Sequence, residues 1–337
     1  MKKNKCILIC LILLIFISII NAKEYPYKTS FKSNYGGNYS GGFWIYEPND
    51  PRPEKAPVIF FVPGWTAKDT VTYGAWFDHL VKSGNIVVWL SILDEDGIGA
   101  TPFPKLNDNA YNGYQMAIKE LINGKRADGQ EHVHPDFSQT SIFGHSAGGL
   151  IITDITARTN MSTENLPIPG VIFAVDPAKT ALLPHNIGHG MLMKPGNPED
   201  INPNTLMVAV TGDKDAFFGA RGKEAITLLD KATQVPPENK YFYIIRSNNI
   251  TTQNATHFYP GAPDPAYENN AINSEENYLK SNKRKLTKRN KMYEGSVVDE
   301  LDYELWELFD EARAVKFENK EWVMLVVHFD DIDKLFE

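Results

Sequence analysis

Short apolar runs rich in β-branched and aromatic residues alternate along this chain with segments of helical periodicity. The runs are VIFFV (58–62), IVVWLS (86–91), SQTSIF (138–143), VIFAV (171–175), LMVAVT (206–211) and YFYIIR (241–246). Helical patterns cover 107–124, 148–157, 219–232 and 297–312. Strands that follow one another through helices pair in parallel. The alternation therefore predicts an α/β fold with a mostly parallel central sheet and helices on both faces.

Two further regions frame this pattern. YKTSFK (27–32) and GFWIYE (42–47) are separated by a glycine-rich turn and predict an antiparallel hairpin at the sheet edge. Residues 264–296 are rich in Asn, Glu and Lys and predict a disordered insertion. Within that insertion, KSNKRKLTKRNK (280–291) carries seven basic residues and no acidic one, as is typical of a solvated loop. We expect residues 23–337 to form a single domain.

The first 22 residues have the pattern of a secretory signal peptide. Three lysines precede the uncharged run CILICLILLIFISII (6–20), and Ala22 follows it. Fifteen helical residues rise only about 23 Å, which is short of a hydrocarbon core of about 30 Å, so cleavage is favoured over an uncleaved anchor. The expected location is outside the cell or in the endomembrane lumen, without a stable membrane span.

Cysteine usage and charge exclude several function classes. Both cysteines, Cys6 and Cys10, lie in the predicted signal, so the mature chain has neither disulfides nor a cysteine nucleophile. Subtracting the three signal lysines from the 34 basic residues leaves 31 against 42 acidic residues. This negative balance argues against a partner that is a nucleic acid or an anionic membrane.

The segment SIFGHSAGGL (141–150) predicts a reactive serine. A strand ends at Phe143, GHSAG follows, and a helical pattern begins at once. Strand, G-x-S-x-G and helix together form a nucleophile elbow, in which Ser146 sits on a strained turn. Gly144 and Gly148 leave room where a side chain would meet neighbouring backbone, and the helix N-terminus favours developing negative charge.

A serine hydroxyl needs a base and an orienting acid. His257 is the predicted base, because it lies in a loop after the last clear strand. His145, inside the elbow, is expected to point away from the hydroxyl. Three acids follow strands at the carboxyl edge of the sheet. They are Asp213 and Asp215 in TGDKDAFFG and Asp176 in VDPAKT, of which Asp215 is preferred for its spacing and Asp176 is the alternative.

An oxyanion hole requires two aimed main-chain amides. Ala147 follows the nucleophile and supplies one, while Trp65 in VPGWTAKD (62–69) is expected to supply the other. The pair His185 and His189 has metal-ligand spacing, but Pro184 and Gly188 argue against a helix there. DEDG (94–97) lacks the remaining ligands of a calcium loop. We expect neither a metal nor an organic cofactor.

Four N-x-S/T sequons, at Asn38, Asn160, Asn249 and Asn254, are possible glycan acceptors on a secretory route. Asn254 precedes the predicted base by three residues, so its side chain should be unoccupied or point outward.

At these motifs the chain resembles the α/β-hydrolase superfamily, and within it the dienelactone-hydrolase, cutinase-like polyester hydrolase and chlorophyllase branches. PGWTA (63–67) is similar to the oxyanion loop of the polyester hydrolases, and FDHLVKSGNIVVW (77–89) to the segment after it. The likeness extends over about residues 40–260. It implies an α/β-hydrolase fold in which Ser146, Asp215 and His257 are nucleophile, acid and base.

The chain departs from that resemblance in two ways. The Asp-Pro after VIFAV resembles the branch that places its acid there, as in chlorophyllases and pancreatic-type lipases, which keeps Asp176 open. Cysteines that staple many secreted relatives are absent after residue 22.

The predicted function is therefore a secreted serine hydrolase of carboxylic esters, acting on a small-molecule, lipid-like or polymeric ester through an acyl-enzyme. Two alternatives stay open at this point. One is a serine peptidase or amidase, and the other is a binding protein that keeps the fold without turnover.

Overall fold

The computed structural model describes residues 24–35, 41–65, 67, 70–93, 103–178, 196–216, 222–251, 253–267, 298–329 and 331. The described residues form one nine-stranded sheet with the order β1-β2-β4-β3-β5-β6-β7-β8-β9. The strands are β1 (Thr29–Tyr35), β2 (Phe43–Asn49), β3 (Lys55–Val62), β4 (Ile86–Leu90), β5 (His134–His145), β6 (Val171–Val175), β7 (Leu206–Gly212), β8 (Lys240–Ile245) and β9 (Val327–His328).

The centre of the sheet is parallel and its margins are antiparallel. Strands β4, β3, β5, β6, β7 and β8 pair in parallel. β1 pairs with β2, β2 with β4, and β8 with β9 in the antiparallel sense. The predicted edge hairpin is thus present as β1 and β2. This arrangement places the carboxyl ends of β3, β5, β6, β7 and β8 at one edge of the sheet.

Five helices cover the two faces of the sheet in the described residues. They are α1 (Gly74–Lys82), α2 (Phe103–Asn123), α3 (Ala147–Met161), α4 (Lys223–Lys231) and α5 (Glu300–Glu318). Buried side chains of α2, α3 and α4 share one core cluster, and those of α1 and α5 share another. Alternate side chains of β3 enter opposite clusters, Phe60 the first and Phe61 the second, because strand side chains alternate in direction. The architecture is an α/β-hydrolase fold.

Two elements were not predicted. Helix α1 has only nine residues, and its buried face carries Trp76, Phe77 and Leu80. Strand β9 is two residues long and exists through its pairing with β8. The helix expected over 219–232 is present as α4 from Lys223, and residues 217–221 are outside the described part.

Several expectations fall on residues that the structure does not describe. The signal peptide (1–22), the turn at 94–97, the His185 and His189 pair, the basic run 280–291 and the sequon at Asn38 lie outside the described residues. Of the expected insertion, 264–267 are described, and Tyr267 is buried against Tyr46 and Phe77. Among the described helices, none combines the length and apolar character that a membrane crossing requires.

Candidate active site

Ser146 occupies the corner between β5 and α3. Its backbone has φ 56° and ψ −119°, a conformation that residues with a side chain rarely adopt. The corner is held by three main-chain hydrogen bonds. Ser146 N–H donates to Val175 O at 3.0 Å, and Ser146 O accepts from Gly149 and Ala178 at 2.9 and 3.0 Å. These hydrogen bonds on both sides of Ser146 keep the strained turn in place.

The glycines of G-x-S-x-G are required by close backbone contact. A Cβ on Gly144 would lie 2.3 Å from Gly148 O, and a Cβ on Gly148 would lie 2.2 Å from Val62 O. Both distances are far inside van der Waals contact. The motif thus allows β5, α3 and the end of β3 to meet at the Ser146 corner.

His257 reaches this corner from the loop after β8. Its Nε2 lies 2.8 Å from Ser146 Oγ, and its Nδ1 lies 3.0 Å from Asp215 Oδ2. The three side chains are buried, and that of Asp215 is fully enclosed. The Asp215 carboxylate accepts a hydrogen bond from His257 Nδ1–H, which leaves Nε2 as an acceptor for the serine hydroxyl. The structure thus joins the expected nucleophile, base and preferred acid in one hydrogen-bonded row.

Contacts between the two loops explain why the base and the acid meet. Lys214 N–H donates to Ala255 O at 3.0 Å. A Cβ on Gly212 would lie 2.2 Å from that same Ala255 oxygen, so only glycine permits this approach. The turn after β7 and the histidine loop are therefore packed backbone to backbone, with Lys214 one residue before Asp215 and Ala255 two residues before His257.

The alternative acid, Asp176, lies behind Asp215. Its Oδ1 accepts from Gly212 N–H at 2.9 Å and from the Thr211 hydroxyl at 3.1 Å. Complete burial raises the pKa of Asp176 well above its usual range, and the neighbouring Asp215 charge adds to this effect. The two carboxyl groups are therefore neighbours, and Asp176 is the one whose protonated form is favoured. Asp215 is the one that faces His257.

Asp213, the third candidate acid, serves a different contact. Its Oδ1 accepts from the Ser247 hydroxyl, and its N–H donates to Ile245 O at 3.0 Å. The side chain thus ties its turn to the residues after β8.

The two expected oxyanion donors flank the serine. A Cβ built on Gly64 would lie 3.5 Å from Ser146 Cβ, so the loop after β3 passes directly beside Ser146. Ala67 N–H donates back to Gly64 O at 3.0 Å and closes a tight turn around Trp65. Within the described part of the chain, the main-chain N–H groups of Trp65 and Ala147 donate to no other residue. Both amides are thus available for a developing oxyanion.

One group of potential metal ligands overlaps this site. Ligand atoms of His145, Asp176 and His257 lie within 4.8 Å of one another. The ring nitrogens of both histidines are, however, engaged in hydrogen bonds with Ser146, Asp215, Tyr73 and the His257 carbonyl. The arrangement fits a hydrogen-bonded serine site better than a cation site.

His145 and Tyr73 are the site residues whose contacts sequence reasoning missed. His145 lies in the second position of the elbow and was expected only to point away from Ser146. Its ring contacts the Tyr73 hydroxyl and the main chain of His257. A histidine next to a nucleophilic serine was the available signal, whereas nothing in the sequence around Tyr73 indicated its partner.

The described sequons differ in their surroundings. Asn254 is exposed, and its Oδ1 accepts from the Lys214 ammonium. Asn249 is also exposed. Asn160 is half-buried, and its Nδ2 donates to Asp200 O at 2.9 Å.

No protein-family model matches this sequence, and no curated protein matches it significantly. Among solved structures, the chain is similar to carboxyl esterase 2 from the fungus Tuber melanosporum, with 13% identity, a TM-score of 0.47 and coverage of 67% of this chain and 78% of that one. A bifunctional GH43-CE protein of Bacteroides eggerthii has 12% identity, a TM-score of 0.48 and coverage of 74% and 38%. Esterase B from Lactobacillus rhamnosis has 11% identity, a TM-score of 0.49 and coverage of 82% and 92%.

Proposed function

We propose that this chain is a serine hydrolase that cleaves carboxylic esters through an acyl-enzyme intermediate. The observation that carries the proposal is the unbroken row from Asp215 through His257 to Ser146, with distances of 3.0 and 2.8 Å. The strained backbone of Ser146 and the two amides without a described partner support the same chemistry. Each part has a separate role in acyl transfer.

In the first half-reaction, His257 Nε2 takes the proton of Ser146 as Oγ attacks the ester carbonyl. The tetrahedral oxyanion is held by the amides of Trp65 and Ala147. His257 then gives its proton to the departing alkoxide, so the alcohol leaves and an acyl-serine remains. In the second half-reaction, His257 deprotonates a water that attacks the acyl carbon, and the carboxylic acid is released as Ser146 regains its proton.

The proposed substrate is an uncharged or lipid-like ester, either small or part of a polymer. Trp65 directly follows Gly64, whose backbone lies beside Ser146, and its half-buried ring suits an apolar acyl or alcohol group. The dienelactone-hydrolase, polyester-hydrolase and chlorophyllase likenesses of the sequence agree with this substrate class.

A covalent phosphonate probe tests the nucleophile directly. We expect stoichiometric labelling of the intact protein and no labelling of Ser146→Ala. Ser138→Ala is the matched control, because Ser138 is an exposed serine within β5, eight residues before Ser146; it should label like the wild type. A folded protein that takes up no probe contradicts the proposal and favours a binding protein.

A panel of p-nitrophenyl esters and matched p-nitroanilides then tests the bond that is cleaved. We expect ester turnover that is lost in Ser146→Ala, with anilide turnover much slower. Labelling accompanied by faster anilide cleavage than ester cleavage contradicts an esterase and identifies an amidase.

A further inference from the structure

A second buried hydrogen-bonded row lies beside the proposed triad. Tyr73 Oη is 2.7 Å from His145 Nδ1, and His145 Nε2 is 2.8 Å from the main-chain oxygen of His257. Gly64 N–H donates to Tyr73 Oη in a longer bond of 3.4 Å. Tyr73, His145 and His257 are all at most 5% exposed. The row thus runs through the protein interior and connects three separate loops.

The donor directions in this row are fixed by its ends. A carbonyl oxygen only accepts, so the proton of His145 is on Nε2 and is donated to His257 O. Nδ1 is then an acceptor, and the Tyr73 hydroxyl donates a hydrogen bond to it. The Tyr73 oxygen in turn accepts from Gly64. Burial, followed by the effect of nearby His257, lowers the pKa of His145 to about 3. The ring therefore stays neutral and keeps this tautomer across the physiological range.

The three loops joined by the row are those that carry the proposed chemistry. Gly64 precedes the Trp65 amide, His145 precedes Ser146, and the third contact is with the backbone of the base itself. The His145 and His257 rings also lie 5.1 Å apart between centroids. Ring packing and the hydrogen bond to the His257 carbonyl together limit how far the base can move from the serine.

We propose that His145 and Tyr73 are positioning residues that hold the oxyanion loop and the base loop in register with the nucleophile corner. This inference rests on the proposed function, since it assigns a role in the same site. The hydrogen bonds that form the row join Tyr73 and His145 to other groups than the Ser146 hydroxyl. Each of the two residues therefore acts by placing another group.

Three variants separate the contacts of the row. His145→Asn places an oxygen near the Nδ1 position but removes the donor to His257 O. His145→Gln places an amide nitrogen near the Nε2 position and retains that donor. Tyr73→Phe removes the hydroxyl that links His145 to Gly64. A misplacement of the base by about 1 Å costs about 100-fold in rate. We expect His145→Asn to lose kcat by about that factor with KM changed less than about threefold, and His145→Gln to recover at least about tenfold of the loss.

Two matched controls exclude a general effect of core substitution. His79 is a buried histidine whose Nδ1 lies 2.9 Å from the Tyr25 hydroxyl, and Tyr114 is a buried tyrosine that donates to the Pro167 carbonyl. His79→Asn and Tyr114→Phe match the test variants in chemistry. The hydrogen bonds described for His79 and Tyr114 involve no residue of the row. We expect them to leave kcat per labelled site unchanged, while Tyr73→Phe lowers it at least about tenfold.

Nuclear magnetic resonance of ring-labelled histidine supplies a readout that does not depend on activity. We expect the signal of one neutral ring that is protonated at Nε2 between pH 5 and pH 9. This signal should be absent from the spectrum of His145→Asn. A wild-type kcat in His145→Asn overturns the inference. The inference is also overturned if His145→Asn only lowers the melting temperature and leaves kcat per labelled site unchanged. Absence of probe labelling in the wild type instead defeats the proposed function, and the two failures are thus distinguishable.

Discussion

Replacing Asp215 and Asp176 by asparagine, one at a time, decides which of the two orients His257. Asp215 Oδ2 lies 3.0 Å from His257 Nδ1, while Asp176 Oδ1 is bound to Gly212 N–H and Thr211. Asparagine has nearly the same shape as aspartate, so neither substitution opens a cavity. Each change therefore affects protons and charge rather than packing.

The expected cost of Asp215→Asn follows from the loss of the carboxylate that accepts from His257 Nδ1. An asparagine NH₂ group that faces Nδ1 donates where the carboxylate accepted. The imidazole must then accept at Nδ1 and carry its proton on Nε2, where it cannot take the serine proton. A histidine held in the wrong tautomer costs about 10⁴-fold in kcat. This loss corresponds to about 5 kcal/mol of transition-state stabilisation.

The same reasoning gives a small effect for Asp176→Asn. Its amide oxygen still accepts from Gly212 N–H and the Thr211 hydroxyl, so the hydrogen bonds described for this side chain are kept. Asp176 has φ 42°, and asparagine is one of the side chains that tolerate positive φ best. We expect kcat to stay within about threefold of wild type, because the acceptor for these two donors is preserved and Asp215 still faces His257.

Single-turnover phosphonylation and steady-state ester hydrolysis both measure these effects. The assay is run on probe-titrated enzyme, so that loss of folded protein is not counted as loss of rate. A loss of about 10⁴-fold in Asp176→Asn beside near wild-type activity in Asp215→Asn refutes the reasoning and makes Asp176 the orienting acid.

Two further predictions concern stability. Gly148→Ala places a Cβ 2.2 Å from Val62 O and should lower the free energy of unfolding by more than the about 1–3 kcal/mol that is typical of an overpacked core. The control Gly129→Ala, with φ 82° and nothing within 4 Å, should lose only the cost of its backbone conformation. Urea unfolding measures the free energy of unfolding of both variants. An equal loss in both contradicts the elbow contact. Burial raises the pKa of Asp302 from 3.8 to about 7. As pH rises, the unfolded chain therefore loses this proton at a lower pH than the folded protein does. The stability that the protonated Asp302 contributes is lost as pH rises from about 4 to 7. Asp302→Asn keeps the acceptor for Asp299 N–H and should lose less stability over that range; melting curves that fall in parallel for both proteins contradict this assignment.

The sequence predicted the architecture well because that information is local. The alternation in β3 sends Phe60 and Phe61 to opposite core clusters, and this follows from a period of two residues. The short helix α1 was missed because nine residues give a weak periodic signal. Strand β9 was missed because two residues become a strand only through the neighbour that they pair with.

The candidate site divides in the same way. The elbow around Ser146 is a local motif, since Gly144 and Gly148 make room within five residues. The choice between Asp176 and Asp215 depends on which carboxylate faces the imidazole when β6 and β7 lie side by side. Both follow strands that end at the same edge, so strand order alone leaves the choice open.

By itself the sequence determined the α/β layers, the strained serine corner and a short set of candidate partners, because each depends on residues close together in the chain. Tertiary structure alone decided that Asp215 faces His257, that Asp176 lies behind it, and that Tyr73 and His145 join the loops. His145 is 72 residues from Tyr73 and 112 from His257. Contacts over such separations form only when the sheet brings its strand ends to one edge, and no local periodicity encodes them.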